Sequence, residues 1–241
     1  MSFAPVLRSE WLKIRTVRSQ PGALFAMFAA TTAFSALSAT SETADPEFDP
    51  LFTALFGVVF GQIAAVCFGA MAVSAEFHNG ALRQSLAAVP QRGRWYAAKI
   101  ASIAVPVLLM GLPTAVAGLL AGRAGLGSAA SGLTVGEQVR AVVGCAVYLM
   151  LMALFSAGLA TVLRSQVATL SVLIPFILMV SFVVGDMSGT FADVLPDRAG
   201  QVILHQSYDG ILGPWAGLAV SALWTAAALL AGAWSLRRRD A

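Results

Sequence analysis

Residues 140–163 read RAVVGCAVYLMLMALFSAGLATVL, and no Asp, Glu, Lys or Arg interrupts them after Arg140. A helix needs roughly 20 apolar residues to cross a hydrocarbon core of about 30 Å. Five further stretches meet this requirement, at residues 21–40, 51–75, 99–122, 167–186 and 212–236. None of the six has a charged residue near its centre, and the fifth contains Pro175, which a membrane helix tolerates as a kink. The pattern predicts an all-α polytopic membrane protein with six transmembrane helices, forming one domain over residues 1–241.

The composition agrees with a chain that is solvated by lipid. Of the 241 residues, 58% are hydrophobic and 11% are charged, with a mean hydropathy of +0.80. An ordinary soluble domain has about 25% charged residues. A water-soluble globule is therefore excluded, as are a disordered chain and, with only two cysteines, a disulfide scaffold. The net charge of +3 gives no indication of a nucleic-acid partner.

Basic residues are distributed unevenly between the two sides of the predicted membrane. Twelve of the fifteen Lys and Arg residues fall on the side that carries both termini, and the positive-inside rule makes that side cytoplasmic. They are Arg8, Lys13, Arg15, Arg18, Arg83, Arg92, Arg94, Lys99, Arg164, Arg237, Arg238 and Arg239. On the outer side, residues 187–211 are too interrupted to span the membrane but apolar enough to dip into the outer leaflet, and their role stays open.

The first twenty residues predict an interfacial helix. Apolar residues recur at close to a 3.6-residue period, and the basic residues lie mostly off this stripe. The stripe consists of Phe3, Leu7, Trp11, Ile14 and Val17. Such a helix is expected to lie flat on the cytoplasmic leaflet, with Trp11 at the headgroup level.

Residues 76–99, EFHNGALRQSLAAVPQRGRWYAAK, predict a short amphipathic helix between the second and third spans. Gly80 permits a break after the second span, and Pro90 ends the short helix. One face is apolar, made by Phe77, Ala81, Leu82, Leu86 and Val89. We expect this face to pack either on lipid headgroups or on a cytosolic partner. A group of residues before the third span is expected to anchor it at the interface, namely Arg92, Arg94, Trp95, Tyr96 and Lys99.

The sequence contains little that indicates chemistry. Neither Lys13 nor Lys99 follows a glycine, so a phosphate-binding P-loop is absent. The two histidines have no partners at metal-ligand spacing, and no cofactor bound by this chain is expected. Ser188 with His205 weakly resembles an intramembrane serine protease. The polar residue Gln62 either makes an interhelical hydrogen bond or faces a translocation pathway.

Three segments resemble the actinobacterial permease subunits of the type-2 ATP-binding-cassette (ABC) exporter family. The opening LRSEWLKIRTVRSQPG is similar to their interfacial elbow helix. Residues 76–99 are similar to their cytoplasmic signature: a Glu ending the second span, Gly-x-Leu-Arg, a short helix, Pro, and Ala-Lys opening the third span. GLATVLRSQVATL, around Arg164, resembles their second cytoplasmic turn. Asn79 departs from the family, in which this position is often charged.

The resemblance implies a permease without a motor of its own, in a bacterial cell membrane. Two permeases, either two copies or this chain with a homologous permease, would pair above two cytosolic ABC ATPase subunits, which hold ATP and Mg. The short helix would be the coupling helix, and the outer segment 187–211 would correspond to re-entrant helices that cap the exit path. The implied ATPase contact comprises Glu76, Asn79, Gly80, Leu82, Arg83, Leu86 and Pro90. The elbow helix would contribute Trp11, Lys13 and Arg15.

The expected function is export of an amphiphilic substrate such as a drug, peptide, antibiotic or lipid-like molecule. On this interpretation the chain is not itself an enzyme. Two alternatives remain at this point. The chain is either a membrane accessory or assembly subunit that transports nothing, or an intramembrane enzyme.

Overall fold

A computed structural model of the chain describes residues 3–39, 48–78, 80–180, 193–208 and 210–238. Within these ranges the chain is helical and has no strands. The α-helices are α1 (Phe3–Thr16), α2 (Ser19–Ser38), α3 (Pro50–Ala54), α4 (Val58–Ser74), α5 (Ala81–Ala88), α6 (Arg92–Leu126), α7 (Val135–Leu163), α8 (Gln166–Pro175), α9 (Pro196–Gln201) and α10 (Pro214–Arg238).

Five of the described helices are long and apolar enough to cross a membrane: α2, α4 with the turn that extends it to Phe77, α6, α7 and α10. The fifth predicted span is described only in part. It begins as α8 and continues as a π-helix over Phe176–Val180, directly after Pro175. Proline removes one hydrogen bond from a helix and commonly distorts it at that point. Residues 181–186 lie outside the described residues, so this span stays a prediction.

Large apolar side chains cover the outside of the helix bundle. Phe25 on α2 is 66% exposed, Leu120 on α6 is 60% exposed, and Leu230 on α10 is 70% exposed. A surface of this kind is unfavourable in water but is well solvated by lipid tails. The protein is therefore a multi-pass α-helical membrane protein.

The core forms around α7, which packs against α4, α6 and α10, while α2 packs against α4 and α6. The second span, predicted as one helix over 51–75, is broken between α3 and α4. A Cβ atom on Gly57 would lie 1.9 Å from the carbonyl oxygen of Thr31 on α2, so only glycine fits here. The Gly57 N–H donates to Ser35 Oγ at 3.2 Å, which replaces a bond within the helix.

The two ends of the helix bundle differ in which helices meet there. The base is the end where α1, α5, the start of α6 and the end of α10 meet. There, Arg92 Nη1 joins the start of α6 to the end of α10 by donating to the Leu236 carbonyl oxygen at 2.7 Å. The α9 end is the opposite end, where α3, α9 and the start of α10 lie.

Candidate functional site

Two backbone features isolate α5 between α4 and α6. A 3-10 turn over Ala75–Phe77 ends α4, and Gly80 then adopts a φ of +71°, which glycine takes without steric cost. α5 ends at Ala88, because the residue before Pro90 is pushed out of helical geometry. The structure thus has a short helix between Gly80 and Pro90, where the sequence predicts one.

The apolar face of α5 packs on the protein itself. Leu82 is 4% exposed and packs with Trp95, Tyr96 and Leu236, and Leu86 lies at the edge of the same cluster. This differs from the expectation that headgroups or a partner would cover the face. It also corrects the expected interfacial anchor, because Trp95 is 1% exposed and Tyr96 is 6% exposed. The reason is that the end of α10 reaches the base and completes a small apolar core there.

Four charged side chains meet beneath this core and form what we term the base cluster: Glu10, Lys13, Glu76 and Lys99. Lys99 Nζ lies 2.7 Å from Glu76 Oε1 and also forms an ion pair with Glu10. Lys13 Nζ lies 2.8 Å from Glu10 Oε1 and 2.9 Å from Glu76 Oε1. Ser85 on α5 donates to the second oxygen of Glu76 at 3.0 Å. The cluster thus joins α1, the end of α4, α5 and α6.

The base cluster is buried and electrically balanced. Glu10, Glu76 and Lys99 are at most 3% exposed, whereas the Lys13 side chain is 43% exposed. Burial alone would lower the pKa of Lys13, but hydrogen bonds from Lys13 to Glu10 and Glu76 outweigh it and raise that pKa. Two carboxylates and two ammonium groups compensate one another, so the interaction is strong only while all partners are present.

α1 is a helix, as predicted, and the face that it turns toward the bundle includes Glu10, which lies outside the apolar stripe. Its buried residues are Val6, Glu10 and Ile14, whereas Phe3 is 42% exposed and Val17 is 48% exposed. The helix packs on α6. The ion pair of Glu10 with Lys99 on α6 accounts for this orientation. Hydrophobic periodicity does not include Glu10 and therefore cannot predict it.

The predicted coupling residues are partly brought together. A cavity of about 360 Å³ is lined by Glu76, Phe77, Gly80, Leu82, Arg83 and Arg164. The Arg164 guanidinium lies 5.4 Å above the Phe77 ring. Pro90 and Arg15 are exposed, and Trp11 is half-buried. Asn79 lies outside the described residues.

The sequence reasoning missed Glu10 and Ser85, and it assigned Lys99 to an interfacial anchor rather than to a buried ion pair. A signal for one contact was present, because Glu10 and Lys13 are three residues apart on a helix. The signal for the burial of Lys99 was weaker. Lys99 lies one helical turn after Trp95, and both residues are on the buried side of α6.

Gln62 lies in a hydrogen-bonded group nearer the α9 end. It accepts a hydrogen bond from the Tyr148 hydroxyl, and Gln201 Nε2 donates to the same hydroxyl at 3.1 Å. The interhelical hydrogen bond expected for Gln62 is therefore present. Gln62 and Gln201 also line a cavity of about 430 Å³. The second expectation, that Gln62 faces a translocation pathway, stays a prediction.

Asp49 connects α3 to the segment after α9. One carboxylate oxygen caps α3 by accepting from the N–H groups of Leu51 and Phe52, at 2.9 and 3.0 Å. The other accepts from Gln206 N at 2.8 Å and contacts His205 Nδ1 at 3.2 Å. Burial would raise the pKa of Asp49, but the bonds to His205 and to the backbone lower it below its usual value.

The Asp49→Asn variant is expected to lower stability at neutral pH by about 1–2 kcal/mol, because the amide nitrogen that replaces the second carboxylate oxygen cannot accept from Gln206 N. Asparagine still caps a helix, so the loss isolates the contact with His205 and Gln206. A group with a lowered pKa contributes stability above its unfolded pKa and loses it on acidification. Thermal unfolding should therefore show the two proteins converging as the pH falls below about 4. A gap that does not change between pH 7 and pH 3 would contradict this.

No protein-family model matches the chain, and no curated protein matches it in sequence. Within the residues that the structure describes, no group of three His, Cys, Asp or Glu side chains is placed to hold a metal ion. A functional assignment therefore depends on the base cluster, on α5 and on the cavity near Gln62.

Proposed function

We propose that the chain is the permease subunit of a type-2 ABC exporter in a bacterial cell membrane, driven by a separate cytosolic ATPase. In this proposal six helices cross the membrane with both termini in the cytoplasm, α1 is the elbow helix and α5 is the coupling helix. Two permease subunits form the pathway for an amphiphilic substrate. ATP and Mg bind to the two ATPase subunits below them.

The base cluster is the observation that carries this proposal. Ser85 on α5 binds the same Glu76 carboxylate that contacts Lys13 and Lys99. Ser85 also accepts from Lys13 Nζ at 3.2 Å, and Leu82 packs on Trp95 of α6. A displacement of α5 is therefore expected to move α1 and the start of α6 with it. A loop whose only role was to join two spans would not need a hydrogen bond to the base cluster.

The sequence shows no energy source of its own, and this also favours an external motor. The sequence has no P-loop, and the mid-span polar residues are neutral, such as Thr31, Gln62 and Ser156. Ion-driven transporters usually place ionisable groups in the membrane, where they carry the coupling charge. The charges of the base cluster are instead paired with one another at one end of the bundle.

The outer face of α5 is available to a partner. Arg83, Gln84 and Ala87 are exposed, while Leu82 holds the helix on the bundle. Arg83 and Arg164 line the same cavity, together with Glu76. We expect acidic and polar groups of the ATPase to contact it, with α5 acting as a rigid lever between the two subunits.

Co-expression with a P-loop ATPase encoded beside this chain tests the proposal. The complex is expected to co-purify, and the Arg83→Glu variant is expected to reduce ATP hydrolysis by the complex about tenfold, because it places a like charge against the acidic partner. Arg18→Glu is the matched control, since Arg18 is also exposed but lies outside the proposed contact. Absence of a stable complex, or equal activity of both variants, would contradict the exporter and favour an accessory subunit or an intramembrane enzyme.

A further inference from the structure

The cavity near Gln62 is walled by aromatic rings that continue as a row along α3 and α4. Phe34 and Phe60 stack with ring centroids 3.9 Å apart, and Phe56 lies 6.0 Å from Phe60 and from Phe52. His205 stacks on Phe52 at 4.2 Å with an interplanar angle of 8°. Rings spaced in this way offer flat apolar surface to another aromatic group.

The floor of the cavity is polar and incompletely hydrogen-bonded. A phenol carries one hydrogen, so the Tyr148 hydroxyl donates to one glutamine and accepts from the other. With Tyr148 donating to Gln62 Oε1, the Gln62 amide nitrogen and the Gln201 amide oxygen have no hydrogen-bond partner among the described residues. Exchanging both amide orientations would again leave one nitrogen and one oxygen. Gln62 lines the cavity, so its remaining amide group is placed to bind a ligand there.

The charges at the cavity do not select an ion of either sign. Asp197 and Arg198 both line it, so the described lining carries one acidic and one basic residue. Ile177 and Leu178 complete an otherwise apolar wall. The volume of about 430 Å³ lies within the range of small-molecule sites.

We propose that this cavity binds a neutral amphiphile with an aromatic body and one secondary amide group. The amide oxygen would accept from one glutamine and the amide N–H would donate to the other, while the ring packs against Phe52 and Phe56. The identification of this ligand class as the cargo rests on the proposed export function. The binding itself does not depend on it.

Binding to the purified chain in lipid nanodiscs tests the site without any ATPase. The probe is radiolabelled N-phenylhexanamide, and its matched control is phenyl hexanoate, which has an ester oxygen in place of the amide N–H. Wild-type protein is expected to bind the amide about three- to tenfold more tightly than the ester, as one neutral hydrogen bond allows. Gln201→Leu, which removes the acceptor for the amide N–H, is expected to abolish this preference, whereas Gln62→Leu is expected to weaken binding of both probes alike, because both carry the carbonyl oxygen.

A second pair of variants separates the cavity from partition into lipid. Val59→Trp fills the cavity and is expected to abolish saturable binding of both probes, whereas Val105→Trp, on the lipid-facing side of α6, is expected to leave it unchanged. Equal affinity for amide and ester, tighter binding of tetraphenylphosphonium, or binding that survives Val59→Trp would overturn the proposal. Intact binding by a chain that forms no ATPase complex would contradict only the exporter function.

Discussion

Replacing Lys99 with methionine is expected to lower the free energy of unfolding by about 3–5 kcal/mol. Lys99 is 3% exposed and lies between the carboxylates of Glu76 and Glu10. Methionine keeps the length of the side chain but removes its charge, which leaves two buried carboxylates to share Lys13 alone. The loss would be measured by denaturant titration of the purified protein in detergent micelles.

Lys13→Met is the matched control, because Lys13 contacts the same two carboxylates but its side chain is 43% exposed. We expect a loss of about 1 kcal/mol or less there, since water already screens the charge. Adding Glu76→Gln to Lys99→Met should recover part of the loss, because it removes the uncompensated charge. Equal losses for the two lysines, or strictly additive effects in the double variant, would contradict the buried ion network.

Replacing Trp95 with alanine is expected to cost about 3–5 kcal/mol and to loosen α5 from the bundle. The indole is 1% exposed and packs with Leu82 of α5 and Leu236 of α10. Without it, α5 would keep few apolar contacts. Amide hydrogen exchange should therefore accelerate over Ala81–Ala88 more than in the centre of α7.

Trp215→Ala serves as the control for the tryptophan substitution, because Trp215 is 59% exposed at the start of α10. We expect it to change stability by about 0.5 kcal/mol or less and to leave exchange in α5 unaltered. If Trp95→Ala leaves exchange over α5 at the wild-type rate, the small apolar core at the base does not hold this helix.

The long helices could be predicted from hydropathy because a membrane-spanning backbone must satisfy its hydrogen bonds internally. The predicted spans 21–40 and 212–236 correspond to α2 and α10 within two residues at each end. The position of α5 could also be predicted, because Gly80 and Pro90 restrict only the backbone next to them.

Other features depend on residues that are distant in sequence. The break before α4 requires Ser35, which lies 22 residues before Gly57. The burial of Lys99 requires Glu10 on a different helix, and hydrophobic periodicity assigns no inward role to either residue. A pattern read along one helix does not contain the charges that its neighbours supply.

We propose that α5 faces the cytoplasm and receives an ATPase, and the reactivity of a cysteine at position 83 tests both points. An Arg83→Cys variant that also carries Cys67→Ala and Cys145→Ala would be exposed to a membrane-impermeant maleimide in intact cells and in inverted vesicles. We predict labelling in inverted vesicles only, and slower labelling there when the ATPase subunit is bound. Labelling in intact cells would put α5 on the outside, where no cytosolic ATPase could move it.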